Sequence, residues 1–313
     1  MKTLLIINPL SGNKRSRMPS LRKVKNIGLD DLIVQRETVE EIIALAKERL
    51  HADVVFTTHS GHGMELAKKA VKRKYDLIVA AGGDGTVNEV INGIAQTKAT
   101  LGIIPLGTTN VMAMELGIPL NGRKAIEIIA KGKKKSIDLG LAKTSTTTRY
   151  FGMCAGIGFD ASVIREVDSV AKKWLGSFAF GFVALKKALT YRWHPITVEK
   201  DVRTKGYVVV VCNSRYYGGD FELTHHASLT DGKLDLFIWK QKHWWNALRF
   251  LFALFRNTLH EDMITEYHQF KKINVIGRKN ELVHVDCELI GKTPVEITVA
   301  PNALRVIYRT EDS

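Results

Sequence analysis

The sequence predicts an α/β first domain joined to a β-rich second domain, on three observations. Short apolar segments alternate with amphipathic ones as far as residue 134, three of those apolar segments end in loops rich in glycine and hydroxyl groups, and beyond "KGKKKSIDLGLAK" the texture changes to short strands and turns. Strands alternating with helices imply a mainly parallel sheet covered on both faces. In order, the first domain reads as strand "TLLIIN", a basic stretch, helix "TVEEIIALAKERL", strand "DVVFTT", helix "GMELAKKAVKR", strand "YDLIVAAGG", helix "TVNEVINGIA", strand "LGIIPLG" and helix "NGRKAIEIIAKG". The second domain, 135–313, reads as "RYFGMCAGIGFD", "ITVEKDVRTKGYVVVVCNS", "GKLDLFIWK", "FKKINVIGR", "ELVHVDCELIG" and "VEITVAPNALRVIY", interrupted by helical stretches at 161–191 and 243–259. That pattern implies mostly antiparallel β-structure with inserted helices, and the last residues are expected to pack back on the first domain.

Composition narrows the function. The 313 residues carry 46 Lys+Arg against 32 Asp+Glu, and the resulting +14 favours polyanionic surfaces: nucleic acid, anionic lipid or phosphorylated substrates. No nucleic-acid motif accompanies the charge, so no nucleic-acid partner is expected. The N-terminal apolar run is short and interrupted by Asn8 and Pro9, which reads as a buried strand and implies a cytoplasmic protein. No apolar run reaches the roughly 18 residues that cross a bilayer. Cys154, Cys212 and Cys287 form no CxxC pair and read as free buried thiols.

Three loops share one sheet edge, because each follows a predicted strand. They are "NPLSG" (Asn8, Ser11, Gly12), "GGDGT" (Gly82, Gly83, Asp84, Gly85, Thr86) and "PLGTTN" (Gly107, Thr108, Asn110). Thr58, in "TTHSGHG", adds a hydroxyl to that edge. Backbone N–H groups, small hydroxyls and helix N-termini are the chemistry that cradles phosphate oxygens, and ligands of such sheets sit at the carboxyl ends of strands. Neither GxxxxGK[ST] nor a convincing GxGxxG is present.

"NPLSG", "GGDGTVNEV" and "PLGTTN", in this order, resemble the diacylglycerol kinase catalytic domain superfamily, and more closely its soluble bacterial lipid kinases; sphingosine and ceramide kinases are relatives. The resemblance covers nearly the whole chain. It implies a Rossmann-like nucleotide-binding domain (1–134) and a β-sandwich lipid-substrate domain (135–313), with ATP in the cleft between them. It also implies that the glycines let the backbone close on nucleotide phosphates, that Asp84 acts through Mg²⁺, and that Glu89 belongs to the polar network behind the loop. The family's base is the aspartate of a "DGE" motif; the matching "VDCE" makes Asp286 the base and Glu288 its companion, with Cys287 where the family has glycine. A positive φ there would strain a cysteine. "LTDGKLDL" resembles the family's structural Mg²⁺ segment, which implies Asp231 and Asp235 as ligands; the residues alone equally suit an Asp-Gly turn without metal. "GIGFDA" is expected to line the cleft.

A soluble enzyme acting on lipid must touch a membrane or extract a chain from it. Trp174, Phe178, Phe182 and Leu185 in one helical stretch, and Trp244, Trp245, Leu248, Phe252 and Phe255 in the other, lie beside basic residues, a pattern shared by interfacial and core helices. Lys14, Arg15 and Arg17 suit lipid headgroups or the phosphates of ATP. His59, His62, His225 and His226 read as polar loop residues without metal spacing. The expected function is therefore an ATP- and Mg²⁺-dependent kinase of a diacylglycerol-like lipid at an anionic membrane surface. Open beside it stand a kinase of a soluble hydroxyl substrate, similar to NAD kinases, and a nucleotide-binding, membrane-docking regulator in which Cys287 has ended catalysis. Oligomeric state is left open, a homodimer included.

Overall fold

The computed structural model describes residues 1–11, 37–171, 178–200, 203–219, 221–242 and 265–310, with backbone only at 167–171 and 178–182. Gly12, the basic residues Lys14, Arg15 and Arg17, and the apolar residues predicted for membrane contact at 174 and 244–255 lie outside this described set, and of Phe178 and Phe182 only the backbone is described. The chain divides into two compact units, Met1–Ser136 with Leu304–Ser313, and Ile137–Ala303.

In the first unit the order is β1 (Thr3–Ile7), α1 (Val39–Leu50), β2 (Ala52–Phe56), α2 (His62–Lys72), β3 (Leu77–Gly82), α3 (Asp84–Ile94), β4 (Thr100–Pro105), α4 (Val111–Glu115) and α5 (Gly122–Lys131). The strands form a parallel sheet in the order β2-β1-β3-β4. Both faces are buried, so β1, β3 and β4 read as continuous apolar runs rather than alternating ones. On one face Leu5, Ile7, Val79 and Ala81 pack against Ile42, Ala46 and Leu50 of α1 and Ile126 and Ile129 of α5. Helix α1 starts at a capping box, in which Thr38 accepts the Glu41 N–H and Glu41 accepts the Thr38 N–H. Helices α2 and α3 approach closely: a Cβ at Gly93 would stand 2.4 Å from the Ala67 methyl.

Strand β5 (Lys134–Lys143) begins in the first unit and continues into the second, which then contains β6 (Thr148–Phe151), β7 (Cys154–Gly158), α6 (Phe159–Ala171), α7 (Phe178–Thr190), β8 (Ile196–Glu199), β9 (Arg203–Gly206), β10 (Val208–Cys212), β11 (Tyr216–Tyr217), β12 (Phe221–Glu222), β13 (Leu234–Trp239), β14 (Thr265–Phe270), β15 (Lys272–Gly277), β16 (Leu282–Val285) and β17 (Glu288–Lys292). The long β18 (Val295–Ile307) gives Val295–Thr298 to β15 in this unit and Arg305–Val306 to β4 in the first. An antiparallel sheet β14-β13-β10-β7-β16-β17 forms one layer. Its inner residues, among them Ala155, Ile157, Val209, Val211, Val283 and Val285, meet Ile196, Val198, Ile273, Val275 and Ile297 from β8, β15 and β18, which makes a sandwich. Alternate residues, Val208, Val210, Cys212, Phe237 and Trp239, face the other way and are covered by Phe159, Val163, Val183 and Ala184 of α6 and α7. That second cover explains why "VVVVC" shows no polar alternation.

Candidate functional site

The loops at the carboxyl ends of β1 to β4 are tied to one another by side chains. Asn8 Nδ2 lies 3.3 Å from the Thr86 hydroxyl, joining the first loop to the third. The Thr109 hydroxyl donates to Asp84 Oδ2 at 2.7 Å, joining the fourth loop to the third. Glu89, one turn into α3, accepts the N–H groups of Gly61 and Gly63 at 2.7 and 2.8 Å, which fastens the start of α2 and the second loop. In that second loop the Thr58 hydroxyl sits 3.0 and 3.1 Å from the Nδ1 atoms of His59 and His62, whose rings stack at 4.7 Å.

Three of these glycines have a packing reason within the protein. A Cβ on Gly82 would meet the Thr86 side chain at 2.5 Å, and one on Gly107 would stand 2.4 Å from the Gly83 Cα. Gly83 and Gly107 therefore let the third and fourth loops close on each other, while Gly82 makes room for Thr86 of its own loop. Only Gly85, exposed in the first turn of α3, has nothing within 4 Å of its Cβ position. Asn110, buried and at φ 49°, accepts the Gly107 N–H and donates to the Gly107 carbonyl, so its side chain shapes its own loop. Asn8, Ser11 and Asp84 are half-buried, Thr86 is buried, and Thr58 and Thr108 are exposed.

Asp84 supplies a carboxylate to this edge. Burial pushes its pKa above the ordinary carboxylate range, against the lowering effect of the Thr109 hydroxyl and of the nearby N–H groups of Val111, Met112 and Asn110. Its Oδ1 is buried without a hydrogen-bond partner.

In the second unit Asp286 and Cys287 form the two-residue connection of the β16–β17 hairpin, closed by the pair Val285–Glu288. Both have positive φ, 44° and 68°, the signature of a type I′ turn, whose usual residues are Asn-Gly or Asp-Gly. Asp286 is buried, and its oxygens accept three backbone N–H groups: Gly152 at 2.8 Å, Met153 at 3.0 Å and Cys154 at 3.0 Å. Glu288 faces outward and pairs with Arg149 at 3.2 Å, a cation that sequence reasoning passed over. Cys287 is exposed, which corrects the expectation of three buried thiols. Cys154 and Cys212 are buried, and burial pushes both thiols up, Cys212 to about 12.

The predicted metal pair lies at the start of β13. Gln269 donates to both Asp231 and Asp235 at 3.3 Å, and Asp138 accepts the Gly232 N–H between them at 2.7 Å. Burial, with Asp231 adding repulsion, raises the Asp235 pKa, and Asp235 Oδ2 is buried without a hydrogen-bond partner. Two convergent carboxylates with an orphaned oxygen fit a hard divalent cation. Among the described residues, no cluster of three or more His, Cys, Asp or Glu side chains forms a metal cage. Nor is any described helix long and apolar enough to cross a membrane. Helix α7 buries Val183, Ala184 and Ala188 but leaves Leu185 and Leu189 exposed.

Residues 33–142 match the family model "Diacylglycerol kinase catalytic domain". The diacylglycerol kinase of Bacillus subtilis (strain 168) is 32% identical over 263 residues, covering 82% of this chain and 85% of that protein. The chain belongs to the diacylglycerol kinase family. Residues 154–308 match the "YegS C-terminal NAD kinase beta sandwich-like domain", in agreement with the layered second unit. A second family member, the diacylglycerol kinase of Staphylococcus saprophyticus subsp. saprophyticus, is 28% identical, covering 84% of this chain and 86% of its own. A crystal structure of a proposed diacylglycerol kinase from Bacillus anthracis str. Sterne shares the fold, with a TM-score of 0.76, 24% identity, and 98% and 97% of the two chains covered. Membership makes the chain a kinase by descent and implies ATP and a divalent cation.

Proposed function

We propose that the protein is an ATP- and Mg²⁺-dependent lipid kinase that phosphorylates the hydroxyl of a diacylglycerol-like lipid at an anionic membrane surface. The observation that carries this reading is the joined set of four loops at one sheet edge, with an orphaned Asp84 oxygen in its midst. In this reading Asn8, Ser11, Gly12, Thr58, Gly85, Thr86 and Thr108 present amides and hydroxyls to the ATP phosphates. Gly82, Gly83, Gly107, Asn110 and Glu89 hold those loops in shape. Phosphoryl transfer depends chiefly on positioning and charge neutralisation. Mg²⁺, when bound, neutralises phosphate charge; Asp84 is the residue assigned to it there, and Asp231 with Asp235 would hold a structural ion.

Asp286 is assigned the proton of the lipid hydroxyl as its oxygen attacks the γ-phosphorus and ADP leaves. A carboxylate offers about four acceptor positions. The Gly152, Met153 and Cys154 amides engage both of its oxygens and so fix the orientation in which the carboxylate meets a hydroxyl. Glu288 and its partner Arg149 place one carboxylate and one guanidinium beside that turn. Exposed Leu185 and Leu189 suit contact with acyl chains.

The test is labelled ATP with a mixed lipid extract in micelles, beside Asp286→Asn. The expected result is a labelled lipid made only by the unaltered protein, with ATP binding retained by the variant. The side-chain amide introduced by Asp286→Asn would face a backbone N–H, at a cost of about 1–3 kcal/mol, so the variant's melting is followed in parallel. An active, folded Asp286→Asn protein refutes the base assignment. ATP binding without transfer to any lipid refutes the kinase reading.

A further inference from the structure

Under the Asp286–Cys287 turn lies a buried run of polar side chains. His284 of β16 stands opposite Gly156 of β7, and its Nε2 is 2.7 Å from Asp160 Oδ2, both side chains being buried. The other Asp160 oxygen accepts the Tyr217 hydroxyl. Burial and the neighbouring Asp160 charge push the Tyr217 pKa well up, which keeps that hydroxyl a donor. On the far side of the imidazole, the backbone N–H of Cys287 points at Nδ1 at 3.3 Å. A nitrogen that receives an N–H cannot carry a proton of its own. The neutral ring therefore bears its hydrogen on Nε2 and donates it to Asp160. The space is filled: a Cβ at Gly156 would stand 1.8 Å from Asp160 Oδ2 and 2.2 Å from His284 Nε2. This accounts for the first glycine of "GIGFDA", and for its aspartate.

We propose that His284 is a positioning residue for the transfer step, holding the left-handed Asp286–Cys287 pair through the Cys287 N–H so that the Asp286 carboxylate is aimed. Asp160 and Tyr217 act behind it by fixing the ring's tautomer and orientation. The inference rests on the reading of Asp286 as the base. Its logic is geometric. Two consecutive non-glycine residues at positive φ need outside support, and the imidazole lone pair supplies it to the second of them.

Two substitutions separate this role from core filling. Asparagine carries its side-chain oxygen close to the Nδ1 position and still accepts from Cys287. Glutamine carries its polar end close to Nε2 and reaches Asp160, but it removes the acceptor that the imidazole offers to the Cys287 N–H. His284→Gln is expected to lower kcat for lipid phosphorylation about 10- to 100-fold with KM for ATP unchanged, since small misplacement of a reacting group costs that much. His284→Asn is expected to stay within a few-fold of the unaltered protein. Equal kcat values in the two folded variants overturn the proposal, as does a greater loss in His284→Asn. Should neither variant fold, ¹⁵N-histidine spectra of the unaltered protein read the same claim, and a protonated Nδ1 at His284 overturns it. An unaltered protein that labels no lipid refutes the kinase reading, and this inference with it, before any variant is compared.

Discussion

The hairpin turn at Asp286–Cys287 allows strain to be measured almost in isolation. Cys287 sits at φ 68°, where an L-residue with a Cβ pays about 1–2 kcal/mol relative to glycine. Its side chain is exposed, so truncating it vacates no core. Against the relief of strain, glycine's freedom in the unfolded chain takes back about 0.5–1 kcal/mol. Cys287→Gly is therefore expected to stabilise the second unit by about 0.5–1 kcal/mol. A domain of this size shifts by about 2–4 °C per kcal/mol, so its melting temperature should rise by about 1–4 °C. Cys287→Ala keeps the Cβ and the strain, and removes only the thiol. Calorimetry of the three proteins, under reducing conditions, isolates the backbone effect as the difference between glycine and alanine. A glycine variant no more stable than the alanine variant refutes the reasoning, because it would show the turn already relaxed around the cysteine. The same proteins in the labelled-ATP assay show whether the family's glycine is needed for chemistry. With the Cys287 N–H still held by His284, kcat is expected to remain within a few-fold across all three.

Other perturbations address the nucleotide edge. Burial raises the Asp84 pKa, so the folded state binds that proton more readily than the unfolded chain does. Its contribution to stability is full below the unfolded carboxylate pKa and is lost as pH rises through the raised folded value. Asp84→Asn should consequently raise the ligand-free melting temperature at neutral pH and leave it little changed in acid, while ending turnover; a lower neutral melting temperature counts against the assignment. Glu89→Gln turns an amide toward the Gly61 or Gly63 N–H and should cost about 1–3 kcal/mol in urea unfolding. Gly107→Ala drives a methyl to 2.4 Å from the Gly83 Cα, and should cost about 1–3 kcal/mol together with nucleotide affinity in a fluorescent-ATP titration. Gly85→Ala, with open space at its Cβ, should lose nucleotide affinity while stability rises by about 0.5–1 kcal/mol.

The architecture was legible because it rests on local periodicity. Runs such as "TLLII" and "LIVAAG" could be assigned from apolar length alone, since both sheet faces are covered. Helix α4 escaped notice for a physical reason: five residues carry too little periodicity, and the polar groups at its start, Asp84 and Thr109, include one from another loop. The glycines of "GGDGT" and "PLGTTN" signalled close approach correctly but not its object. A sequence does not distinguish a backbone that approaches a phosphate from one that approaches another backbone, and at Gly83 and Gly107 the partner is the neighbouring loop.

The second unit shows why carboxylates are harder to read than glycines. Asp286 was singled out by its motif, yet what determines its chemistry is the set of three amides at 152–154, more than a hundred residues away, which the antiparallel pairing of β7 with β16 delivers to it. His284 lies two residues from Asp286 and drew no attention as a lone histidine in an apolar strand. Its meaning depends on Asp160 and Tyr217, which reach it only once β7, α6 and the β11–β12 hairpin are in place. A residue that acts through contacts of long sequence separation leaves no local pattern. Its one trace in the chain is indirect: a glycine, Gly156, kept small because two side chains meet over it.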